Sequence, residues 1–179
     1  VGSEMCIRDR VKEFHSVMDE STQEEPIAWS PQDARYRAGF KLEELVEFLR
    51  AASNSEEDFD SSVAYLHQAL DKAADKVRSK SQAEVSLVGQ VDALIDTLYF
   101  TYGSFVLMGV DPEQLFDIVH RANMGKIFPD GKAHFDPVTH KILKPDDWEE
   151  KYAPEGAIKE ELERQIQAYQ HSIEQKEEN

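Results

Sequence analysis

The 179-residue sequence has few cysteines, a deficit of basic residues and no long apolar run. Its one cysteine, Cys6, excludes an intramolecular disulfide framework. With no recognisable signal peptide, we expect a reducing compartment, the cytoplasm. A membrane-spanning helix needs about 18 or more consecutive apolar residues, and none occurs. The 20 basic and 36 acidic residues give a formal net charge of -16, which disfavours nucleic acid or an anionic membrane as the main partner.

The length of the chain fits one domain with an extension at one end. The opening VGSEMCIRDR has neither a helical nor a strand period and resembles translated adapter sequence. We therefore predict a non-native leader at residues 1–10, a domain at 11–152 and an acidic C-terminal helix at 153–179.

Apolar residues recur at helical spacing through most of the sequence, which predicts an all-α protein. Ser30 and Pro31 have the residue types that begin a helix, as its cap and first position. Turn residues before the last helix indicate a small irregular hairpin. We predict that its residues Lys132, Lys141, Lys144 and Trp148 lie in a solvated loop; alternatively, they help close a site or a subunit contact. The predicted helices cover a short segment from Val11, then 31–52, 61–80, 82–108 and 112–125, and a last segment from Pro154.

Three glutamates, Glu43, Glu44 and Glu47, form a first acidic cluster on one side of the second predicted helix, because residues three or four apart are helix neighbours. Like charges at this spacing repel by roughly a few tenths of a kcal/mol per pair. Phe40 projects among them, which is more typical of a pocket wall than of a solvated face. By itself the Glu-Glu-x-x-Glu motif is a weak signal, and a solvated face is the alternative.

Two aspartates, Asp92 and Asp96, form a second acidic cluster in the most apolar stretch, which we expect to be a central helix covered by its neighbours. Burying an unpaired carboxylate costs on the order of several kcal/mol, so two on one buried face require a cation. Carboxylates are hard oxygen ligands that suit Mg²⁺ or Mn²⁺ better than Zn²⁺. Because Mg²⁺ is commonly shared with substrate phosphates, the clusters predict a site for a metal and a nucleotide polyphosphate.

The order of the two acidic clusters resembles that of the all-α nucleoside triphosphate pyrophosphohydrolases, the MazG-like and phosphoribosyl-ATP pyrophosphohydrolase-like superfamily. A longer run of this sequence is similar to the branch of the superfamily that has dUTP-hydrolysing members. That run reads VDALIDTLYFTYGSFVLMGVDPEQLFDIVHRANMGKIFPDGK. One departure concerns the second cluster, which usually reads Glu followed by Asp in this superfamily. Here both Asp92 and Asp96 are aspartates, four residues apart.

This resemblance implies a four-helix core assembled as a homodimer or homotetramer. It also implies that Asn123 and Lys126 contact the nucleotide, although a lysine near a helix C-terminus is favourable without any ligand. Phe14 and His15 lie where related chains place residues near the base; alternatively, Phe14 is a core residue and His15 is exposed. The implied ligands of Mg²⁺, or of Mn²⁺, are Glu43, Glu44, Glu47 and Asp96, with Asp92 as a further ligand.

The first functional hypothesis is Mg²⁺-dependent hydrolysis of a nucleoside triphosphate, such as dUTP or a non-standard nucleotide, to the monophosphate and pyrophosphate. Glu47 is the predicted general base that takes a proton from the attacking water. Phosphoribosyl-ATP is the alternative substrate within the same chemistry. A different class of function is a helical dimer that binds nucleotide or protein without turnover, with the acidic C-terminal helix as the interacting element.

Overall fold

The computed structural model describes residues 6–19, 22–80 and 82–177, with side chains described as far as Lys176. Within these ranges the secondary structure is helical, with one isolated β-bridge, and the predicted all-α class is confirmed. The helices are α1 (Ile7–Met18), α2 (Pro31–Ala51), α3 (Glu56–Lys80), α4 (Leu87–Met108), α5 (Glu113–Met124), α6 (Trp148–Tyr152) and α7 (Glu155–Glu177).

The start of α2 and the end of α4 follow from local chemistry. Ser30 caps α2 as predicted, since its Oγ accepts from the backbone N–H of Asp33 at 3.2 Å, and Pro31 occupies the first position. Gly109 follows α4 with a φ of 70°, a left-handed conformation that favours glycine.

Three helix starts differ from the prediction. The structure begins α3 at Glu56, five residues before the predicted position 61, because an acidic first turn is favourable at a helix N-terminus. It begins α4 at Leu87 rather than at Gln82. It begins α5 at Glu113, so that Pro112, predicted as the first residue of this helix, is instead its N-cap residue.

The first helix overlaps the predicted non-native leader. Residues 1–5 of that leader lie outside the described residues, whereas Ile7 to Arg10 form the first turn of α1. The Arg10 guanidinium makes an ion pair with Asp117 of α5, on which α1 packs. The domain boundaries drawn from the sequence stay a prediction.

Contacts within the chain define two compact units. In the unit at 25–94, α3 packs on α2, and the Gln90 side-chain amide pairs with the backbone of Trp29 at 2.9 and 3.0 Å. In the unit formed by 1–24 and 95–179, α5 packs on both α1 and α7. The Gln165 amide pairs with the Asp111 backbone in the same two-bond manner, each bond 2.9 Å long.

The predicted irregular hairpin is present between α5 and α6. Phe135 and Ile142 form the antiparallel bridge. The Asp136 carboxylate accepts the backbone N–H groups of Val138 and Thr139 at 2.9 and 2.6 Å, which closes the turn. These bonds, that of Thr139 first, lower the pKa of Asp136.

Burial is concentrated at the end of α5. The buried apolar side chains among the described residues are Ile118 and Ala122 of α5 and Trp148 of α6. The prediction that neighbours of the same chain cover α4 is wrong, since no residue of α4 is buried and residues 91–102 are all exposed. The main helix pairs, α1–α5, α2–α3 and α5–α7, leave α4 out. No helix in the described part of the chain has both the length and the apolar content to cross a membrane.

Candidate functional site

The first acidic cluster lies on α2. Glu43, Glu44 and Glu47 are exposed, as the sequence pattern predicts for one side of this helix. Just before them, the Lys41 ammonium donates to the backbone oxygen of Arg37 at 3.3 Å. Partial burial, and then the charge of Arg37, lower the pKa of Lys41. A cationic turn of α2 therefore precedes the carboxylates.

An aromatic pair extends this side of α2 toward its N-terminus. The rings of Tyr36 and Phe40 meet edge to face with centroids 4.9 Å apart, and the Arg37 guanidinium lies 5.5 Å from the Phe40 ring centre. Phe40 is four residues before Glu44 and seven before Glu47, so the three share one side of the helix, as predicted. Phe40 is 44% exposed, so within this chain it lines a surface and not a closed pocket.

The second acidic cluster is not buried by its own chain. Asp92 and Asp96 are exposed, which removes burial within the chain as a reason for a bound cation. Asp92 belongs to the unit at 25–94, together with the first cluster, and Asp96 belongs to the other unit. These positions on α4 are otherwise as the sequence predicted, within an apolar helix.

The predicted metal site requires several carboxylates to lie close together. In the part of the chain that the structure describes, no three His, Cys, Asp or Glu side chains are grouped so that they could hold a metal ion. The donor chemistry of the two clusters fits Mg²⁺, because all five side chains are carboxylates. Metal binding by Glu43, Glu44, Glu47, Asp92 and Asp96 stays a prediction.

The predicted nucleotide contacts on α5 come together. The Lys126 ammonium donates to the Asn123 side-chain oxygen at 2.8 Å, in a half-buried position. The backbone N–H of Lys126 also donates to the Asn123 backbone oxygen at 3.0 Å. Together they place a cation and an amide side by side at the end of α5, an arrangement suited to a phosphate oxygen.

The position of Trp148 differs from the prediction. Of the two alternatives, a solvated loop is wrong for Trp148, because its side chain is 5% exposed and packs at the end of α5. Its indole N–H donates to the Ala122 backbone oxygen at 2.9 Å. The Lys144 ammonium lies 3.9 Å from the Trp148 ring centre, within the range of a cation–π interaction.

Phe14 and His15 lie on α1, which packs on α5. Both side chains are partly buried, and their rings meet edge to face with centroids 5.6 Å apart. His15 Nδ1 pairs with the Asp19 carboxylate. The alternative in which His15 is exposed is therefore not what the structure shows, and contact of Phe14 and His15 with a base stays a prediction.

Comparison with known proteins decides the family. The phosphoribosyl-ATP pyrophosphohydrolase family profile matches residues 11–123. The chain belongs to this family. The range matched by the pyrophosphohydrolase profile includes both acidic clusters and ends at Asn123. A search of curated proteins gives no match.

A solved structure is similar to this family member over nearly its whole length. It is the crystal structure of a "putative NTP pyrophosphohydrolase" from Exiguobacterium sp. 255-15, at 35% sequence identity and a TM-score of 0.83. The similarity covers 93% of this chain and 99% of that one. The predicted membership of the all-α nucleoside triphosphate pyrophosphohydrolase superfamily is confirmed, and both comparisons indicate a hydrolase that acts on acid anhydrides.

Proposed function

We propose that the protein hydrolyses a nucleoside triphosphate to the monophosphate and pyrophosphate in the presence of Mg²⁺, with Mn²⁺ as a substitute. Family membership over residues 11–123 is the observation that carries this proposal. The similar solved structure supports a nucleoside triphosphate as the substrate class. Within that class the substrate is a deoxynucleotide such as dUTP or a non-standard nucleotide.

In the proposed reaction a water oxygen attacks the α-phosphorus. The bond from that phosphorus to the oxygen bridging the α- and β-phosphates breaks, and pyrophosphate leaves with the bond's electron pair. Glu47 accepts the proton of the attacking water. An exposed carboxylate on a long helix can serve this role once substrate lies against α2.

The two acidic clusters would hold the metal: Glu43, Glu44, Glu47 and Asp96, with Asp92 as a further ligand. When bound, Mg²⁺ neutralises phosphate charge, which matters for a chain whose net charge is -16. Lys126 supplies a point charge for a phosphate oxygen, and Asn123 supplies a donor and an acceptor beside it. Phe14 stacks on the base and His15 hydrogen-bonds to it.

The proposal includes a homodimer or homotetramer. Apolar side chains of α4 are exposed along the helix, and a second copy would cover them. The exposed large side chains of α4 are Val88, Val91, Leu94, Ile95, Leu98, Tyr99, Phe100, Tyr102, Val106, Leu107 and Met108. Cover of α4 by a second copy also brings Asp92 and Asp96 into a drier environment, where a cation is needed more.

Phosphoribosyl-ATP is a second candidate substrate. The description of the matching family favours it directly. The reaction is the same, since pyrophosphate leaves from an α-phosphorus. The cytoplasm remains the proposed location, because Cys6 has no second cysteine with which to pair within the chain.

The test is a panel of deoxynucleoside triphosphates, nucleoside triphosphates and phosphoribosyl-ATP, assayed with Mg²⁺ and separately with Mn²⁺. Pyrophosphate and orthophosphate are measured separately. We expect one or a few substrates to yield pyrophosphate, and Glu47→Gln to reduce that yield by at least about a hundredfold. Glu160→Gln, at an exposed position of α7, is the matched control and should leave the rate unchanged. Binding without turnover by the wild type would instead support the alternative of a non-catalytic helical dimer.

A further inference from the structure

The carbonyl groups at the end of α5 accept hydrogen bonds from two kinds of donor, backbone N–H groups and an indole N–H. The backbone oxygens of Arg121, Asn123 and Met124 accept N–H groups from residues just after the helix. The oxygen of Ala122 accepts the indole N–H of Trp148 instead, from 26 residues further along the chain. Carbonyls in the last turn of a helix have no partner inside it, so Trp148 completes the end of α5.

A second contact fixes the same turn. Gly125, the residue after α5, lies so close to the Tyr152 ring that a Cβ at this position would overlap the ring. Trp148 and Tyr152 are four residues apart and therefore share one side of α6. The two aromatic side chains thus contact the chain at residues 122 and 125.

The predicted substrate contacts are the residues next to these two fixed points. Asn123 follows Ala122, and Lys126 follows Gly125. The hydrogen bond from the Lys126 ammonium to the Asn123 side chain, at 2.8 Å, joins the two side chains. A pair held in place loses little conformational entropy when it binds a phosphate.

We propose that Trp148 is a positioning residue for the phosphate-binding pair Asn123 and Lys126. With Tyr152 it holds the backbone of residues 122–125, and so the direction in which the pair points. Trp148 touches no substrate. This inference rests on the proposed function and assigns a role to the segment after α5 within it.

Trp148→Phe tests the role because it keeps an aromatic ring and removes the N–H donor. We expect the KM for the nucleotide to rise about tenfold while kcat stays within about twofold, since the loss concerns binding of substrate and not the chemical step. Partial unfolding would have the opposite signature, a lower apparent kcat with an unchanged KM. Trp29→Phe is the matched control, at the other tryptophan, and should leave both constants unchanged.

A double-mutant cycle separates positioning from an independent effect. Lys126→Met removes the ammonium that Trp148 is proposed to position. In that background Trp148→Phe should raise KM no further, because there is no longer a cation to misplace. Additive effects of the two substitutions on KM would overturn the inference.

A second variant tests the inference if Trp148→Phe does not fold. Lys144→Met removes the cation over the Trp148 ring from an exposed site, and KM should rise about threefold with kcat unchanged. An unchanged KM in Lys144→Met, when Trp148→Phe does not fold, would count against the inference.

The outcomes distinguish this inference from the proposed function. Turnover by the wild type with equal KM in Trp148→Phe and Trp29→Phe overturns the inference alone. No pyrophosphate from any nucleotide overturns the proposed function, and calorimetric binding of inorganic pyrophosphate then decides the inference. Affinity about tenfold weaker in Trp148→Phe than in Trp29→Phe supports positioning. Equal affinity, or no binding by the wild type, contradicts it.

Discussion

The end of α5 and the length of α4 are both apolar, but only one of them is covered by its own chain. At the end of α5, Ile118 and Ala122 are buried, and Trp148 returns from the hairpin to pack there. On α4 no residue is buried, and Leu107 is 90% exposed. The end of α5 and α4 therefore differ in solvent exposure and not in apolar composition.

The end of α5 is covered within its own chain, and the exposure of α4 supports the proposal that a second copy covers that helix. The segment that follows α5 covers the last turns of that helix, so this region is closed by contacts within the chain. A helix that is apolar on all sides needs neighbours on all sides, and the chain supplies α4 with too few. Burial of apolar surface stabilises by about 25 cal/mol per Å², so the exposed apolar side chains of α4 favour the proposed association.

The largest effect is expected from a charge placed on α4. Leu98 is 51% exposed and lies two residues from Asp96, hence on roughly the opposite side of the helix from the second acidic cluster. Leu98→Asp should dissociate the oligomer and reduce pyrophosphate release by more than about a hundredfold, because a desolvated charge is costly. Light scattering and the rate assay check this. Val138→Asp, at an 84% exposed hairpin residue, should change neither, and dissociation by both variants would refute α4 as the interface.

A smaller but still large effect is expected at the covered region. Trp148→Ala should lower the free energy of unfolding by about 3–5 kcal/mol, the usual range for a buried aromatic side chain. Trp29→Ala, at a 38% exposed tryptophan, should cost less than about 1 kcal/mol. Urea unfolding at one fixed protein concentration measures both, since association contributes to stability. Equal costs would mean that the end of α5 is no better packed than the surface.

Substitutions at two glycines are expected to change stability in different directions. Gly125→Ala should destabilise by about 1–3 kcal/mol, since the new methyl group overlaps the Tyr152 ring. Gly156→Ala, in the first turn of α7 with nothing near its Cβ, should be neutral or stabilise by up to about 1 kcal/mol. Thermal unfolding of the two variants gives the comparison. If Gly125→Ala left the stability unchanged, α6 would have to move aside at little cost in free energy.

The smallest expected effect is a loss of stability at acid pH. Hydrogen bonds from Arg164, and then from Gln165, lower the pKa of Glu161 from 4.5 to about 2. A lowered pKa means that Glu161 stabilises the fold above about pH 4.5, and that this contribution is lost as the pH falls from 4.5 toward 2. Because Gln165 also holds Asp111, the Gln165 amide signals should shift over that interval in NMR spectra. Glu161→Gln should abolish this shift, and persistence of the shift would assign it to another group.

The sequence predicted what depends on neighbours along the chain. Helix starts and stops at Ser30 and Gly109 follow from capping chemistry, and Asn123 and Lys126 meet because they are one turn apart. The family was recognisable from the order of the two acidic clusters, which lie on separate helices.

Contacts between distant residues were out of reach. Apolar periodicity indicates that α4 favours burial but not which residues would cover it, and the expected burial of Asp92 is wrong within this chain, where Asp92 is exposed. The pairing of Trp148 with Ala122 joins a hairpin end to a helix end, and nothing in the local pattern at either position indicates the other. A tryptophan in a turn-rich segment was the signal that the sequence offered.

In the proposed reaction, water attacks the α-phosphorus of a nucleotide. The most direct measurement is turnover in water labelled with heavy oxygen, followed by mass spectrometry of both products. The proposed function predicts one labelled oxygen in the monophosphate and unlabelled pyrophosphate. Label in pyrophosphate, or release of labelled orthophosphate, would contradict it, because attack would then fall on the β- or γ-phosphorus.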